Sequence, residues 1–158
     1  MTQMATTSKA LIVTATAALF LCSVARAGEC QLPTTLRQHR DVATIEVLEL
    51  EWTRAYLRGD TGFEKCLLTS DFTEIMRNGE VKHLSDELAL AAKNAANPLL
   101  MREIPKGTVL LHGNVAVAYG RSQGAGGARA MLYADYYVWE NGRWRVYFAQ
   151  QTEIVTKP

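Results

Sequence analysis

Residues Asp135–Glu153 read Asp-Tyr-Tyr-Val-Trp-Glu-Asn-Gly-Arg-Trp-Arg-Val-Tyr-Phe-Ala-Gln-Gln-Thr-Glu. Two runs rich in aromatic and β-branched residues meet at Asn141-Gly142. Asn-Gly at such a junction predicts a type I′ hairpin, because both central residues of that turn need a positive φ. A two-residue turn sets Glu140 opposite Arg143, Trp139 opposite Trp144 and Tyr137 opposite Val146. It then sets Asp135 opposite Phe148, Tyr133 opposite Gln150 and Met131 opposite Thr152. Strand side chains alternate between faces, so the pairs from Trp139–Trp144 to Met131–Thr152 share one face. That face is mostly large and apolar and is expected to point inward, with Tyr133, Asp135, Gln150 and Thr152 as its polar exceptions. Arg145, Tyr147, Gln151 and Glu153 fall on the other, wetter face. A three-residue turn with a bulge at Gly142 would shift the pairing by one and undo this grouping.

Such a hairpin needs helices to cover it, and the earlier chain supplies them. From Asp41, apolar residues recur at helical steps: Ile45, Leu48, Trp52, Ala55, Tyr56. Glu46, Glu49, Glu51, Arg54 and Arg58 are read mostly onto the opposite, polar side. Gly59 is a good helix stop, and Asp60 or Thr61 can cap a second short helix through Leu68. Phe72–Met76 reads as a strand and Asn78-Gly79 as a turn. Leu84, Leu88 and Ala91 predict a third helix, with Ser85 a candidate cap, ending before Asn97-Pro98. The remaining strand candidates are Leu99–Ile104, Thr108–His112, Val115–Arg121, Arg129–Trp139 and Arg143–Ile154. Gly113-Asn114 is a tight turn and Gly124–Gly127 a flexible hairpin loop. That loop opens no helix and lacks Gly-Lys-Ser/Thr, so a phosphate site is not expected there. Helices first and a curved antiparallel sheet after make an α+β domain.

The N-terminus reads as a secretion signal over residues 1–27: Lys9, the apolar run Ala10–Val24, then Ala25-Arg26-Ala27 as cleavage site. The run falls short of the roughly 20 apolar residues of a membrane span. A secreted or periplasmic location without a membrane anchor follows. Residues 28–40 read as an irregular lead-in and 41–156 as one domain. Removing Lys9 and Arg26 from the 17 basic residues leaves 15 against 16 acidic ones, a mature net charge of −1. With no basic stripe, nucleic-acid binding loses its main support. Cys30 and Cys66 remain after cleavage and are a candidate disulfide for an oxidising compartment. The closed loop would be worth roughly 3–4 kcal/mol by chain entropy. No metal is expected: there is no Cys-x-x-Cys, and His39, His83 and His112 lack ligand spacing. No cofactor motif is present either.

Several short motifs together resemble the nuclear transport factor 2-like superfamily, in its SnoaL-like and ketosteroid-isomerase-like branch. They are Glu51-Trp52-Thr53-Arg54-Ala55 leading to Gly59-Asp60, Leu67-Leu68-Thr69-Ser70-Asp71-Phe72, Gly113-Asn114-Val115-Ala116-Val117, and Asn141-Gly142-Arg143-Trp144-Arg145-Val146 with Gln150 and Thr152. The resemblance covers roughly Asp41–Ile154. It implies a cone, with a long helix and two shorter ones closing a strongly bent sheet around an apolar pocket. It also implies a homodimer through the outer sheet face. Ketosteroid isomerases use a carboxylate base on the early strand, a tyrosine donor on the first helix and a protonated aspartate on the penultimate strand. Matched to that pattern, Trp52 stands in the tyrosine's place, Met76 in the base's place and Asp135 in the aspartate's place. Glu74 is two residues from the base's position. Proton abstraction of the isomerase kind is therefore not supported by this alignment.

Asp135 is the most informative residue. It is either a carboxyl in an apolar pocket with a raised pKa, able to move a proton, or an Asp tied up by Tyr133, Gln150 or a backbone donor, or one at a solvated sheet edge. Trp52 and Tyr56 are either core or pocket wall, and Met76 adds soft apolar lining. The leading expectation is an exported domain that binds a small apolar molecule through Trp52, Tyr56, Met76, Tyr133, Asp135 and Gln150. One alternative is an isomerase, lyase or hydrolase with Asp135 as catalytic acid or base. Another is a dimeric interaction module whose pocket is filled core.

Overall fold

A computed structural model of the protein describes residues 38–94, 107–123 and 130–154. Helix α1 (Val42–Arg58) starts because the Asp41 carboxylate accepts from the Thr44 N–H at 2.8 Å. It stops because Gly59 adopts φ 72° and donates its N–H back to the Tyr56 carbonyl at 3.2 Å. Asp60 then caps α2 (Thr61–Leu67), accepting from the Phe63 N–H at 3.0 Å. Strand β1 (Leu68–Ile75) follows with no loop and begins four residues before the expected Phe72. At the Asn78-Gly79 turn, Gly79 sits at φ 83° and the Asn78 side chain accepts from the Glu80 N–H at 3.1 Å. Strand β2 (Val81–His83) runs straight into α3 (Leu84–Asn94). Ser85 is therefore inside the first turn rather than at the cap. Asp86 takes the capping role, accepting from the His83 N–H at 3.0 Å.

Strands β3 (Thr108–His112), β4 (Val115–Gln123), β5 (Ala130–Glu140) and β6 (Arg143–Glu153) complete the fold. Three helices pack on one curved, unclosed six-stranded sheet in the order β2-β1-β6-β5-β4-β3, an α+β architecture. The neighbouring strands are antiparallel except β1 and β6, which run parallel. The parallel pair brings the early strand beside the last one. Between Leu68 and Thr73 its register shifts, and the Arg145 guanidinium fills the gap by donating to the Leu68 carbonyl and to Glu140.

The Asn141-Gly142 turn has the expected two residues. Asn141 sits at φ 51° and Gly142 at φ 80°, and Glu140–Arg143, Trp139–Trp144 and Tyr137–Val146 pair as read from the sequence. Beyond them the expected register is wrong by one. Tyr136 pairs with Phe148, so Tyr147 is the extra residue of a β-bulge. Asp135 then faces Ala149 rather than Phe148, and Tyr133 faces Gln151 rather than Gln150. A one-residue slip exchanges faces. Ala149 and Gln151 therefore turn inward, while Gln150 and Thr152 are exposed outside. Phe148 joins Tyr136 on the outer face, ring centroids 5.4 Å apart.

The core lies between the helices and the concave face: Ile45, Leu48 and Ala55 from α1, Phe63 and Leu67 from α2, Phe72 from β1, and Tyr137, Trp144 and Val146 from the hairpin. Each large side chain removed from water here contributes roughly 1.5–3 kcal/mol. The three residues before the Asp41 cap are strapped to the hairpin. Trp144 donates its backbone N–H to the Gln38 side chain and its indole N–H to the His39 carbonyl, and Arg40 lies over the Trp139 ring. Cys66 is half of a disulfide. Cys30, the signal segment, the strand expected at Leu99–Ile104 and the Gly124–Gly127 loop lie outside the described residues. Among the described residues no helix is long and apolar enough to cross a membrane.

Candidate functional site

On the concave face β5 carries its largest polar residues, and β4 opposite carries its smallest. Tyr133 pairs with Gly120, Asp135 with Ala118, and Tyr137 with Ala116. The small residues leave room above the sheet for the β5 side chains. Tyr133 fills its share completely: a methyl on Gly120 would sit 3.0 Å from the Tyr133 hydroxyl, and one on Gly107 would sit 2.4 Å from it.

Helix α1 lays Glu49 over this wall. Glu49 is four residues after Ile45, three before Trp52 and seven before Tyr56, so it belongs to the inward stripe. The expected position of Glu49 on the polar side is wrong: its carboxyl meets the buried Tyr137 hydroxyl. A carboxylate in an apolar stripe looks like a stripe edge until its partners are known. The Tyr137 hydroxyl, fully buried, donates to Glu49 Oε1 at 2.5 Å. Asp135 and Glu49 also share a side-chain hydrogen bond. Two carboxyls can make that bond only if one keeps a proton. Burial first, and then the Glu49 charge, hold Asp135 well above the usual carboxylate range. Burial pushes Glu49 up to about 7, against the hydrogen bonds from Tyr137 and Asp135 that favour its ionised form. Of the two, Asp135 holds its proton more tightly, and Glu49 is the one that ionises as pH rises through about 7. Burial likewise raises the Tyr133 and Tyr137 phenols, which remain hydrogen-bond donors.

Three further carboxyls come in from other elements. Glu74 on β1 accepts from Gln151 Nε2 at 2.6 Å and shares a hydrogen bond with Glu87 of α3. Glu64 of α2 has no exposed surface, and neither of its carboxyl oxygens has a hydrogen-bond partner. Burial raises all three, with Glu64 and Glu87 each pushed up to about 8. Lys82 is the nearby cation that favours ionised Glu74 and Glu87, and its Nζ is 3.0 Å from Glu80.

Of the residues expected to line a pocket, Asp135 and Tyr133 face the concave side beside Glu49. Trp52 is half-buried on α1 and stacks edge-on to Phe72, ring centroids 6.2 Å apart. Tyr56 is half-buried near Asn94, Glu64, Glu74 and Glu87. Met76 is half-buried just past β1, its backbone holding the Asn78-Gly79 turn through Glu80 and Gly79. Gln150 is on the outer face and does not join them. The sequence reading missed Gln151, Glu49, Glu64 and Glu87. Only Glu49 carried a local signal, its spacing to Ile45, Trp52 and Tyr56. Among the described residues no group of three or more His, Cys, Asp or Glu side chains could hold a metal ion.

Comparison with solved structures gives the fold its class. The chain is similar to a nuclear transport factor 2-like protein from Cytophaga hutchinsonii, with a TM-score of 0.60 at 17% identity over 71% of this chain and 97% of that one. It is also similar to a Pseudomonas putida protein of that type whose function is unknown, with a TM-score of 0.60 at 18% identity over 72% and 87% of the two chains. A third is a Streptomyces avermitilis protein of the same family, proposed to be a dehydratase, with a TM-score of 0.61 at 15% identity over 73% and 97%. The chain therefore has the nuclear transport factor 2-like fold. No family model matches the sequence, and no curated protein matches it.

Proposed function

We propose that the protein is an exported small-molecule-binding domain whose ligand sits on the concave face, against Trp52, Tyr133, Asp135 and Glu49. The observation that carries this reading is the Tyr137–Glu49–Asp135 chain of hydrogen bonds on the concave face, beside Ala116, Ala118 and Ala149. Buried polar groups of this kind confer orientation and specificity in a ligand site. The apolar surroundings suit a ligand with an apolar body. Export rests on Lys9, the Ala10–Val24 run and Ala25-Arg26-Ala27. A thermal-shift screen of small molecules tests the reading, since a ligand of the native state raises the midpoint. Hits whose effect survives Trp52→Ala and Asp135→Asn together would place binding elsewhere.

A second reading, acid–base catalysis, is favoured by the proton shared between Asp135 and Glu49. Glu49 supplies from α1 the carboxylate that Met76 cannot supply from just past β1. One carboxyl then accepts a proton while its partner donates one, as an isomerase or a dehydrating lyase requires. The resemblance to the proposed dehydratase is consistent with this class. Asp135→Asn keeps the shape and can still donate to Glu49, but cannot give up a proton. It should leave the thermal shift of a screening hit within about 2 °C and lower its turnover, followed by mass spectrometry, by about 100-fold or more. Undiminished turnover would remove Asp135 from the chemistry.

The outer sheet face suits a second copy of the chain. Leu110, Val115, Tyr119, Leu132 and Tyr147 are exposed there, from 40% for Tyr147 to 58% for Leu110. Light scattering should give a dimer mass for the wild type and a monomer mass for Leu110→Glu/Tyr119→Glu. A monomeric wild type would end that proposal.

A further inference from the structure

We propose that Tyr133 sets the size of the apolar body that the concave site admits, with Gly120 and Gly107 as the seat that holds its ring aside. This rests on the concave face being the ligand site and names the residue that limits what enters it. The first support is the inward row of β4. Ala116, Ala118 and Gly120 alternate onto the concave face opposite Tyr137, Asp135 and Tyr133. In that row the glycine stands opposite Tyr133. A methyl on Gly120 would come 3.0 Å from both the ring edge and the hydroxyl of Tyr133, and 3.1 Å from the Gly107 Cα. A methyl on Gly107 would overlap the Tyr133 hydroxyl and come 2.9 Å from the Tyr119 carbonyl oxygen. The phenol therefore lies across β4 in a notch between two glycines.

The second support is that the backbone does not ask for glycine at either place. Positive φ values occur at Gly59, Gly79, Gly113 and Gly142, and not at Gly107 or Gly120. Glycine inside a strand costs backbone entropy that alanine would spare. At Gly120 it is the phenol and the Gly107 backbone behind it that exclude a side chain. Aromatic rings also cover single glycines as plain sheet packing. Here a second glycine, just before β3, receives the hydroxyl end of the same ring.

The third support is where the ring stands relative to the acid pair. Tyr133 and Asp135 are neighbours on one face of β5, about 7 Å apart along the strand. The other residues of that face beside Tyr133 are Met131 on β5 and Gln151 on β6. Side chains occupy discrete rotamers, so a ring driven off β4 swings over one of these neighbours. Two of them, Asp135 and Gln151, belong to the concave wall. The seated ring keeps part of its surface exposed, as do Asp135 and Glu49. A ligand against the acid pair therefore meets the ring as its wall on the β4 side. Removing the phenol frees the space of one ring beside Asp135.

The probes are benzyl alcohol and 2-naphthalenemethanol, which share a hydroxymethyl head and differ by one fused ring. NMR titration of the full chain measures both affinities. The naphthyl-to-benzyl affinity ratio should rise about tenfold or more from wild type to Tyr133→Ala, because the vacated space takes the second ring. Tyr133→Val is the second variant and carries the same expectation should Tyr133→Ala not fold. Gly120→Ala should weaken both probes about threefold or more in the wild type. In Tyr133→Ala the same change should have no effect, since no ring remains to displace. If the ratio stays constant while the probes bind, the size limit is overturned and the concave site stands. If Gly120→Ala weakens binding equally in both backgrounds, the glycine acts through the backbone and the seat is overturned. If neither probe binds, the assignment to Tyr133 is overturned, and the concave site is judged by the wider thermal-shift screen.

Discussion

Acidifying the protein from pH 8 to pH 5.5 is expected to raise its thermal midpoint by at least about 5 °C, the reverse of ordinary acid destabilisation. The cause is the set of interior carboxyls. Glu49 is raised to about 7 and Glu64 and Glu87 to about 8, each chiefly by burial. In the unfolded chain these groups ionise near the ordinary glutamate value. Between that value and about pH 8 the folded state therefore binds more protons than the unfolded one, and stability falls as pH rises. Each such group contributes a slope of up to about 1.4 kcal/mol per pH unit in that window, lessened by whatever water reaches it. Asp135 acts in the same direction. Asp41, Asp71 and Glu80 are shifted down, so their contribution is lost only below the ordinary carboxylate range. Calorimetric melts at half-unit steps would measure the slope. Glu87→Gln should flatten it, because an amide cannot titrate. A midpoint that is constant or rises between pH 5.5 and pH 8 would contradict the buried-acid account.

Trp144→Ala is expected to cost about 3–5 kcal/mol, a large part of the roughly 5–15 kcal/mol that holds a domain of this size together. Trp144 has no exposed surface. Its ring meets Trp139 edge-on at 5.3 Å, and its indole N–H satisfies the His39 carbonyl at 2.8 Å. The substitution leaves a cavity in the hairpin core and removes the donor that fixes the lead-in segment. Trp144→Phe keeps most of the apolar volume and loses only the hydrogen bond and part of the packing, so a smaller loss of about 1–3 kcal/mol is expected. Denaturant unfolding measures both. A Trp144→Ala loss below about 1 kcal/mol would show that the strap and the hairpin core do not hold the domain together.

How much of this could be read from the residues alone differs by feature. Asp41, Gly59 and Asp60 set helix ends through their own side chains and backbone, so the first two helices were legible. Asn141-Gly142 set the turn, because the positive φ at both positions is a local property. The pairing nearest the turn followed. The bulge at Tyr147 did not, since nothing in the run Val146-Tyr147-Phe148-Ala149 distinguishes a bulged from a regular strand. It arises where β6 is held between β5 and the shifted register of β1, and it alone exchanges Gln150 for Gln151 at the site. The parallel pairing of β1 with β6 was hidden for the same reason: strand order is a matter of which edges meet.

The sequence by itself determined the helix caps, the hairpin turn, the alternation that turns Asp135 and Tyr137 to one side, and the α+β class. These depend on residues close together in the chain, where dihedral preference and short-range hydrogen bonds decide. Only the tertiary structure decided that Asp135 meets Glu49, and that Glu64, Glu74 and Glu87 join them indoors. Those carboxyls come from five separate elements. Each one alone resembles an ordinary surface acid. Their shifted protonation comes from shared burial, a property of the assembled concave face that no single stretch carries.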